Sequence, residues 1–127
     1  MKEKTLVLSD EKGRVIFSSE NHGLRPLLEC VQKFKGFKNC NLKDKVIGLA
    51  AARIIVYSGI ISAVETLVCS DSAKELLEKN NVKVNAETFV ANILNNEKTR
   101  ICPMEKMSIS ATDNKEFYFE IKKLLVM

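Results

Sequence analysis

A cysteine stands immediately before a proline in the segment Cys102-Pro103-Met104-Glu105, where thiol chemistry is possible. Proline is favoured at the first position of a helix, so Cys102 precedes a predicted helix N-terminus. The helix dipole favours the reactive thiolate at such a place, and Glu105 lies one turn inside the helix. Cys102 and Glu105 are therefore candidate catalytic residues. A buried thiol, with Glu105 binding backbone N–H groups, is the structural alternative.

Two predicted strand-to-helix junctions carry charged or hydroxyl side chains, Asp44-Lys45 and Ser70-Asp71. Ligands of open α/β sheets gather outside the carboxyl ends of the strands, where helices present free N–H groups. Lys45 could hold an anionic group, and Asp44 could accept a hydrogen bond from a sugar hydroxyl or a base. The alternative is that Asp44 caps a helix and Lys45 is solvated.

Two further residues lie close to predicted helix starts. Gly48 is predicted inside a helix, where glycine costs ~1 kcal/mol relative to alanine, so a ligand or a neighbouring strand is expected to approach its backbone. Arg25 precedes Pro26 at another helix start and could reach an anion there, or form an ion pair. The predicted ligand-binding residues are Arg25, Asp44, Lys45, Gly48, Ser70, Asp71, Cys102 and Glu105.

The elements that position these residues alternate between strands and helices. The chain opens with a β-hairpin over residues 5–8 and 14–18, and strands are predicted at 37–42, 63–68 and 82–84. Helices are predicted from Pro26, over 45–58, from Ser72, over 88–94, from Pro103 and after Asp113, the last with a strand as the alternative. This alternation predicts an α/β domain with a mixed sheet that is covered on both faces. Residues 1–127 are expected to form a single domain.

Composition narrows the class of protein. The 127 residues are 46% apolar and 28% charged with a net charge of +4, which is typical of a globular domain without a concentrated basic face. No apolar run approaches the ~20 residues of a membrane span, so we expect a cytoplasmic protein without a membrane partner. Because no basic face is concentrated, we expect no nucleic-acid partner either. Its four cysteines form no C-x-x-C pair and are expected to be free thiols. Apolar helix faces leave homo-oligomerisation open.

Three segments resemble a known family: GLRPLL (23–28), DKVIGLAAA (44–52), and the stretch from ILN (93–95) to CPMEK (102–106). They are similar, in the same order, to the uncharacterised domain of unknown function 1893 family. The chain departs from many relatives at its start, where it enters the first strand without a preceding helical segment. The resemblance implies a cytidine-deaminase-like, three-layer α/β/α sandwich.

The resemblance does not imply deamination. Zinc deaminases place a His- or Cys-x-Glu at the start of one helix and Pro-Cys-x-x-Cys at the start of the next. Here Asp44-Lys45-Val46 and Cys69-Ser70-Asp71-Ser72 take those places, so we expect neither a metal nor a cofactor. We therefore expect a domain that binds a small anionic or nucleotide-like ligand at the strand ends. The alternatives are an enzyme with Cys102 as nucleophile or redox centre, and a structural or partner-binding subunit.

Overall fold

The computed structural model describes residues 4–93 and 103–125, and these form six strands and five helices. The strands are β1 (Leu6–Ser9), β2 (Val15–Ser19), β3 (Cys40–Asp44), β4 (Val46–Ile47), β5 (Ile61–Ser70) and β6 (Lys83–Val90). The helices are α1 (Arg25–Lys33), α2 (Leu49–Ser58), α3 (Asp71–Lys79), α4 (Pro103–Ser110) and α5 (Asn114–Leu124). In this part of the chain, no helix has the length and apolar character needed to cross a membrane.

All six strands belong to one mixed sheet. β1 pairs antiparallel with β2 and with β3, as the predicted hairpin requires, and β3, β4 and β6 each pair parallel with β5. β3 and β4 are two parts of one interrupted strand, because both lie beside β5. Lys45 stands at the interruption, where its carbonyl oxygen accepts hydrogen bonds from the N–H groups of Leu67 and Val68.

The helices of the described residues pack on one face of this sheet. α1, α3, α4 and α5 all contact α2, which lies at the centre of the helical layer. The cross-strand row of Leu8, Leu42 and Val64 beneath it is buried, whereas Lys43 and Glu65 of the next row are exposed.

The predicted α/β sandwich with a mixed sheet is therefore present, but the expectation of helices on both faces is wrong for residues 4–93 and 103–125. The physical reason lies in β3 and β5, where Asn41, Lys43 and Glu65 alternate with apolar residues. A strand that is polar on one face and apolar on the other remains solvated on its polar face.

Several helix boundaries follow their predicted signals. Pro26 is the second residue of α1, and Pro103 is the first residue of α4. Asp113 caps α5, since its side chain accepts a hydrogen bond from the N–H of Glu116 at 2.7 Å, so the alternative of a C-terminal strand is wrong. Gly59 ends α2 in the left-handed conformation that glycine adopts readily.

Three boundaries differ from the prediction. α2 begins at Leu49 rather than near Lys45, because residues 46–47 pair with β5 instead of joining the helix. Gly48 is therefore the N-cap of α2, not an interior residue. Residues 88–90, predicted as helix, continue β6 because Thr88 and Phe89 pair with Val68 and Cys69 of β5. α3 begins at Asp71, one position before the predicted Ser72, with Ser70 as its N-cap.

Candidate functional site

Two chain connections leave the sheet at the same end. Leu6 pairs with Ser19 at the end of β2 and with Asp44 at the end of β3, because β1 runs antiparallel to both neighbours. The connection from β2 to α1 and the connection from β3 to α2 therefore begin side by side. This is the kind of crevice, outside the carboxyl ends of strands, in which α/β proteins bind ligands.

A cavity of about 240 Å³ lies between these two connections. One wall comes from the segment before α1 and the other from the segment before α2, and Glu105 of α4 closes the space between them. Most of the wall is apolar. The polar side chains on the wall are those of Thr5, Asn21, His22, Asp44, Lys45 and Glu105.

The start of α2 has no acceptor of its own for its free N–H groups. Its N-cap is Gly48, and its first turn contains no acidic residue. Glu105 supplies the missing acceptors: its Oε2 accepts from the N–H of Leu49 at 2.8 Å, and its Oε1 from the N–H of Ala50 at 2.6 Å. A carboxylate at this position is also favoured by the dipole of α2.

Glu105 is buried at this position. Only 5% of the residue is exposed, and burial raises the pKa of its carboxyl group, while the hydrogen bonds from Ala50 and Leu49 act in the opposite direction. Ser108, one turn further along α4, donates to the backbone oxygen of Glu105 at 2.6 Å and fixes this turn. The anion-binding position at the start of α2 is thus filled by a side chain of the same chain.

Asp44, the last residue of β3, is the second carboxyl group on the cavity wall. It is half-buried, and burial raises its pKa from 3.8 to about 7, although hydrogen bonds from the N–H groups of Lys45 and Val46 lower it in part. Near neutral pH its carboxyl group is therefore present in both the protonated and the ionised form. It can accept and donate hydrogen bonds within the same pH range.

Thr5, Asn21 and His22 line the cavity but were not among the sequence-predicted site residues. The backbone oxygens of Ser19 and Asn21 both lie within hydrogen-bond distance of the Thr5 hydroxyl, which donates its single proton to them and so ties the end of β2 to the start of β1. His22 is exposed in the segment that follows. The sequence contains a signal for this segment: the segment directly precedes the helix that Pro26 predicts, just as residues 44–48 precede α2.

A family model described as a domain of unknown function (DUF1893) matches residues 1–125 of the chain. The chain belongs to this family. The resemblance noted in the sequence is thereby confirmed at the level of the family. No curated protein matches the chain.

The fold of this DUF1893 domain is also found in a crystal structure. A DUF1893 family protein from Thermotoga maritima matches it with a TM-score of 0.85 and 23% sequence identity, over 94% of this chain and 80% of that one. At this identity the match establishes a shared fold. It gives no information about a ligand or an activity.

The DUF1893 domain brings together four of the sequence-predicted residues and separates three others. Asp44, Lys45, Gly48 and Glu105 all line the cavity. Three predicted residues do not line it. Arg25 donates a hydrogen bond to the backbone oxygen of Leu125 at 2.7 Å. Ser70 caps α3 by accepting a hydrogen bond from the N–H of Ala73 at 3.2 Å, and Asp71 is exposed. Cys102 lies outside the described residues, so its catalytic role stays a prediction.

The described residues offer no ligand set for a metal ion. Within 4–93 and 103–125, no three His, Cys, Asp or Glu side chains come together in a way that could hold one. Cys30, Cys40 and Cys69 are buried free thiols, and none of them lines the cavity. The chemistry available from the described part of the cavity is that of two carboxyl groups, a histidine and a lysine.

Proposed function

We propose that this domain binds a nucleoside or nucleotide-like molecule in the cavity between the starts of α1 and α2, with the neutral part of the ligand inside. One observation carries the proposal: Glu105 already occupies the N–H groups of α2, whereas Asp44 lies on the cavity wall with a pKa of about 7. The cavity therefore suits a ligand that can both donate hydrogen bonds to a carboxyl group and accept them from it.

The size and lining of the cavity limit the ligand. A volume of about 240 Å³ lies just below the usual range of about 300–1,000 Å³ for small-molecule pockets. Leu6, Leu24 and Ala51 contribute apolar surface, which suits the faces of a planar ring. A cavity of this size can accommodate a single base or sugar ring.

Asp44 suits the edge of a base or a sugar hydroxyl. In its ionised form it accepts hydrogen bonds, and in its protonated form it also donates one. Amino groups and ring nitrogens of bases, and the hydroxyls of ribose, offer both kinds of partner. A free anion should bind more weakly, because Glu105 and the ionised form of Asp44 both place negative charge on the wall.

A phosphate group of such a ligand would lie at the mouth of the cavity. His22 is exposed on this side, and Lys45 also lines the cavity. Both side chains can donate hydrogen bonds to phosphate oxygens. The proposal thus keeps the predicted nucleotide-like ligand but assigns its anionic part to the mouth, not to the start of α2.

The position of the cavity supports the cytidine-deaminase-like arrangement that the family resemblance implies. Zinc deaminases place their zinc ligands at the starts of two successive helices, which correspond here to α2 and α3, and the cavity reaches the first of them, the start of α2. In this chain those places carry Asp44-Lys45-Val46 and Cys69-Ser70-Asp71-Ser72. Among the described residues the donor set does not fit zinc, so we propose binding rather than zinc-dependent deamination.

The test is a thermal-shift series on the full chain with nucleosides, nucleotides, ribose 5-phosphate and inorganic phosphate. A ligand at ~100 times its dissociation constant adds about 2.7 kcal/mol. For a domain of this size that raises Tm by on the order of 10 °C. We expect a nucleoside or nucleotide to raise Tm and inorganic phosphate alone to have no effect.

The variant Asp44→Asn should reduce the shift, because the amide keeps one acceptor oxygen where the ionised carboxyl group has two. Asp71→Asn is the matched control, since it makes the same chemical change at an exposed carboxylate outside the cavity. The proposal is wrong if no nucleoside or nucleotide shifts Tm, or if Asp44→Asn and Asp71→Asn respond alike.

A further inference from the structure

β6 is an edge strand of the sheet. It pairs with β5 along one side, and among the described residues no strand pairs with its other side. Lys83, Asn85 and Glu87 project from its exposed face, and they are all solvent-accessible. An unpaired edge presents backbone N–H and C=O groups that can pair with another strand.

The charges on this edge are arranged symmetrically about Asn85. Lys83 lies two positions before it and Glu87 two positions after it, so all three side chains share one face of the strand. Neither Lys83 nor Glu87 forms an ion pair with another described residue. The same face already contains a cross-strand ion pair, because Lys43 of β3 lies opposite Glu65 of β5 with Nζ and Oε2 at 3.0 Å.

When β6 pairs antiparallel with β6 of a second copy, the register decides which charged residues lie opposite each other. When the two copies are centred on Asn85, Lys83 of each copy lies opposite Glu87 of the other. Centring on Glu87 places like charges opposite each other, and centring on Ala86 places Lys83 opposite Phe89. On the helix-covered face the register centred on Asn85 sets Val84 opposite Ala86, and both of these residues already pack against the core.

We propose that the chain forms a two-fold symmetric dimer through antiparallel pairing of β6 with β6 of a second copy, in the register that places Lys83 opposite Glu87. The two-fold axis is perpendicular to the sheet, so each contact occurs twice. The two sheets join into one, and the helical layers of both copies lie on the same side of it. This interface is separate from the cavity, so it does not depend on the ligand proposed above.

The experiment is a charge swap followed by analytical ultracentrifugation of the full chain. Wild type is expected to sediment as a dimer at micromolar concentration. Lys83→Glu and Glu87→Lys each turn both ion pairs into like-charge contacts, and each is expected to weaken the dimer by on the order of tenfold or more. An equimolar mixture of the two variants restores opposite charges at both positions, so dimers should return as heterodimers.

Lys115→Glu and Glu120→Lys are matched controls, because they make the same charge changes at exposed positions of α5. They should leave the dimer unchanged. Thermal melts of all variants are needed to check that the chains fold. The proposal is overturned if wild type remains a monomer at 100 times the concentration used for the assay, if Lys83→Glu has no more effect than Lys115→Glu, or if the mixture stays monomeric.

Discussion

The carboxylate of Glu105 occupies the space that a side chain on residue 48 would need. A Cβ built on Gly48 would lie 2.4 Å from the Cδ of Glu105 and 2.5 and 2.6 Å from its two carboxylate oxygens. These distances are far below van der Waals contact. Glu105 can hold the start of α2 only because residue 48 has no side chain.

Replacing Gly48 with alanine should therefore displace the carboxylate and expose the N–H groups of α2. Loss of a helix cap costs about 0.5–2 kcal/mol, and crowding against a buried carboxylate adds to that cost. We expect Gly48→Ala to lower the free energy of unfolding by about 2 kcal/mol, measured by urea denaturation.

A double-mutant cycle with Glu105→Ala isolates this contact. Once the carboxylate is gone, Gly48→Ala meets no obstruction and should cost little more than the change in N-cap preference. The interaction free energy between the two sites should reach about 1 kcal/mol or more, as for residues in direct contact. Strictly additive effects would show that Gly48 and the Glu105 carboxylate are not in contact.

Asp44 should make the stability of the domain depend on pH between about 4 and 7. Its pKa is about 7 in the folded protein, above the ordinary value of 3.8, so in this range the folded state binds more protons than the unfolded state. The contribution of Asp44 to the free energy of unfolding must then decrease as pH rises through this range. A shift of about three units sets an upper limit of about 4 kcal/mol, and solvent at the half-buried carboxyl reduces it.

The comparison with Asp44→Asn removes the effects of other titrating groups. The variant should gain stability relative to wild type as pH increases from 4 to 7, and the difference should level off above pH 7. Chemical denaturation at several pH values measures this difference. Parallel profiles for the two proteins would show that Asp44 has an ordinary pKa.

Arg53 of α2 should be difficult to replace, even by lysine. Its Nε donates to the backbone oxygen of Ser108 at 2.9 Å, and its two terminal nitrogens donate to Asn114 Oδ1 at 3.1 Å and to the backbone oxygen of Ala111 at 3.2 Å. A lysine ammonium cannot reproduce this planar set of donors. We expect Arg53→Lys to lower the free energy of unfolding by about 2 kcal/mol.

Arg14→Lys is the control for this prediction. The side chain of Arg14 is 73% exposed and pairs with Asp10 at the surface, where such pairs contribute about 0–1 kcal/mol. An equal loss of stability in both variants would mean that the hydrogen bonds of Arg53 contribute no more to stability than the surface pair of Arg14.

The three described cysteines should be unreactive in the folded protein. Cys30, Cys40 and Cys69 are fully buried, and burial raises the pKa of all three thiols, to about 12 for Cys30 and to about 11 for Cys69. In the variant Cys102→Ser, a thiol reagent should therefore react only after the protein unfolds. Rapid labelling of the folded variant would contradict this.

The same titration tests the hypothesis of a catalytic Cys102. With the other thiols protected, rapid labelling of wild type at neutral pH reports Cys102 alone. A thiolate with a lowered pKa reacts well below pH 8, whereas an ordinary thiol does not. Slow labelling of the wild-type protein would remove the hypothesis of a nucleophilic or redox-active Cys102.

Part of the candidate site could be read from the sequence. Asp44 and Lys45 follow a predicted strand, which makes them candidate ligand-binding residues, and both line the cavity. A glycine at position 48 of a predicted helix indicates that a ligand or strand approaches its backbone, but the group that approaches it is the carboxylate of Glu105. The segment of His22 also precedes a predicted helix, but only the sheet register shows that this segment and residues 44–48 leave the sheet together.

The sequence by itself determined the features that depend on residues close together in the chain. Pro26 and Asp113 mark the starts of their helices, Gly59 marks the end of α2, and the polar segment after β1 produces the opening hairpin. Each of these signals acts through backbone conformation or a hydrogen bond within about four residues, so it needs no knowledge of the rest of the fold.

Only the tertiary structure decided which distant residues meet. Glu105 bonds to the N–H of Leu49, 56 positions away, and β4 joins β5 instead of lengthening α2. Among the described residues, the unpaired edge of β6 likewise follows from strand order. These features depend on register and packing between elements, because local preferences fix the type of each element but not its neighbours.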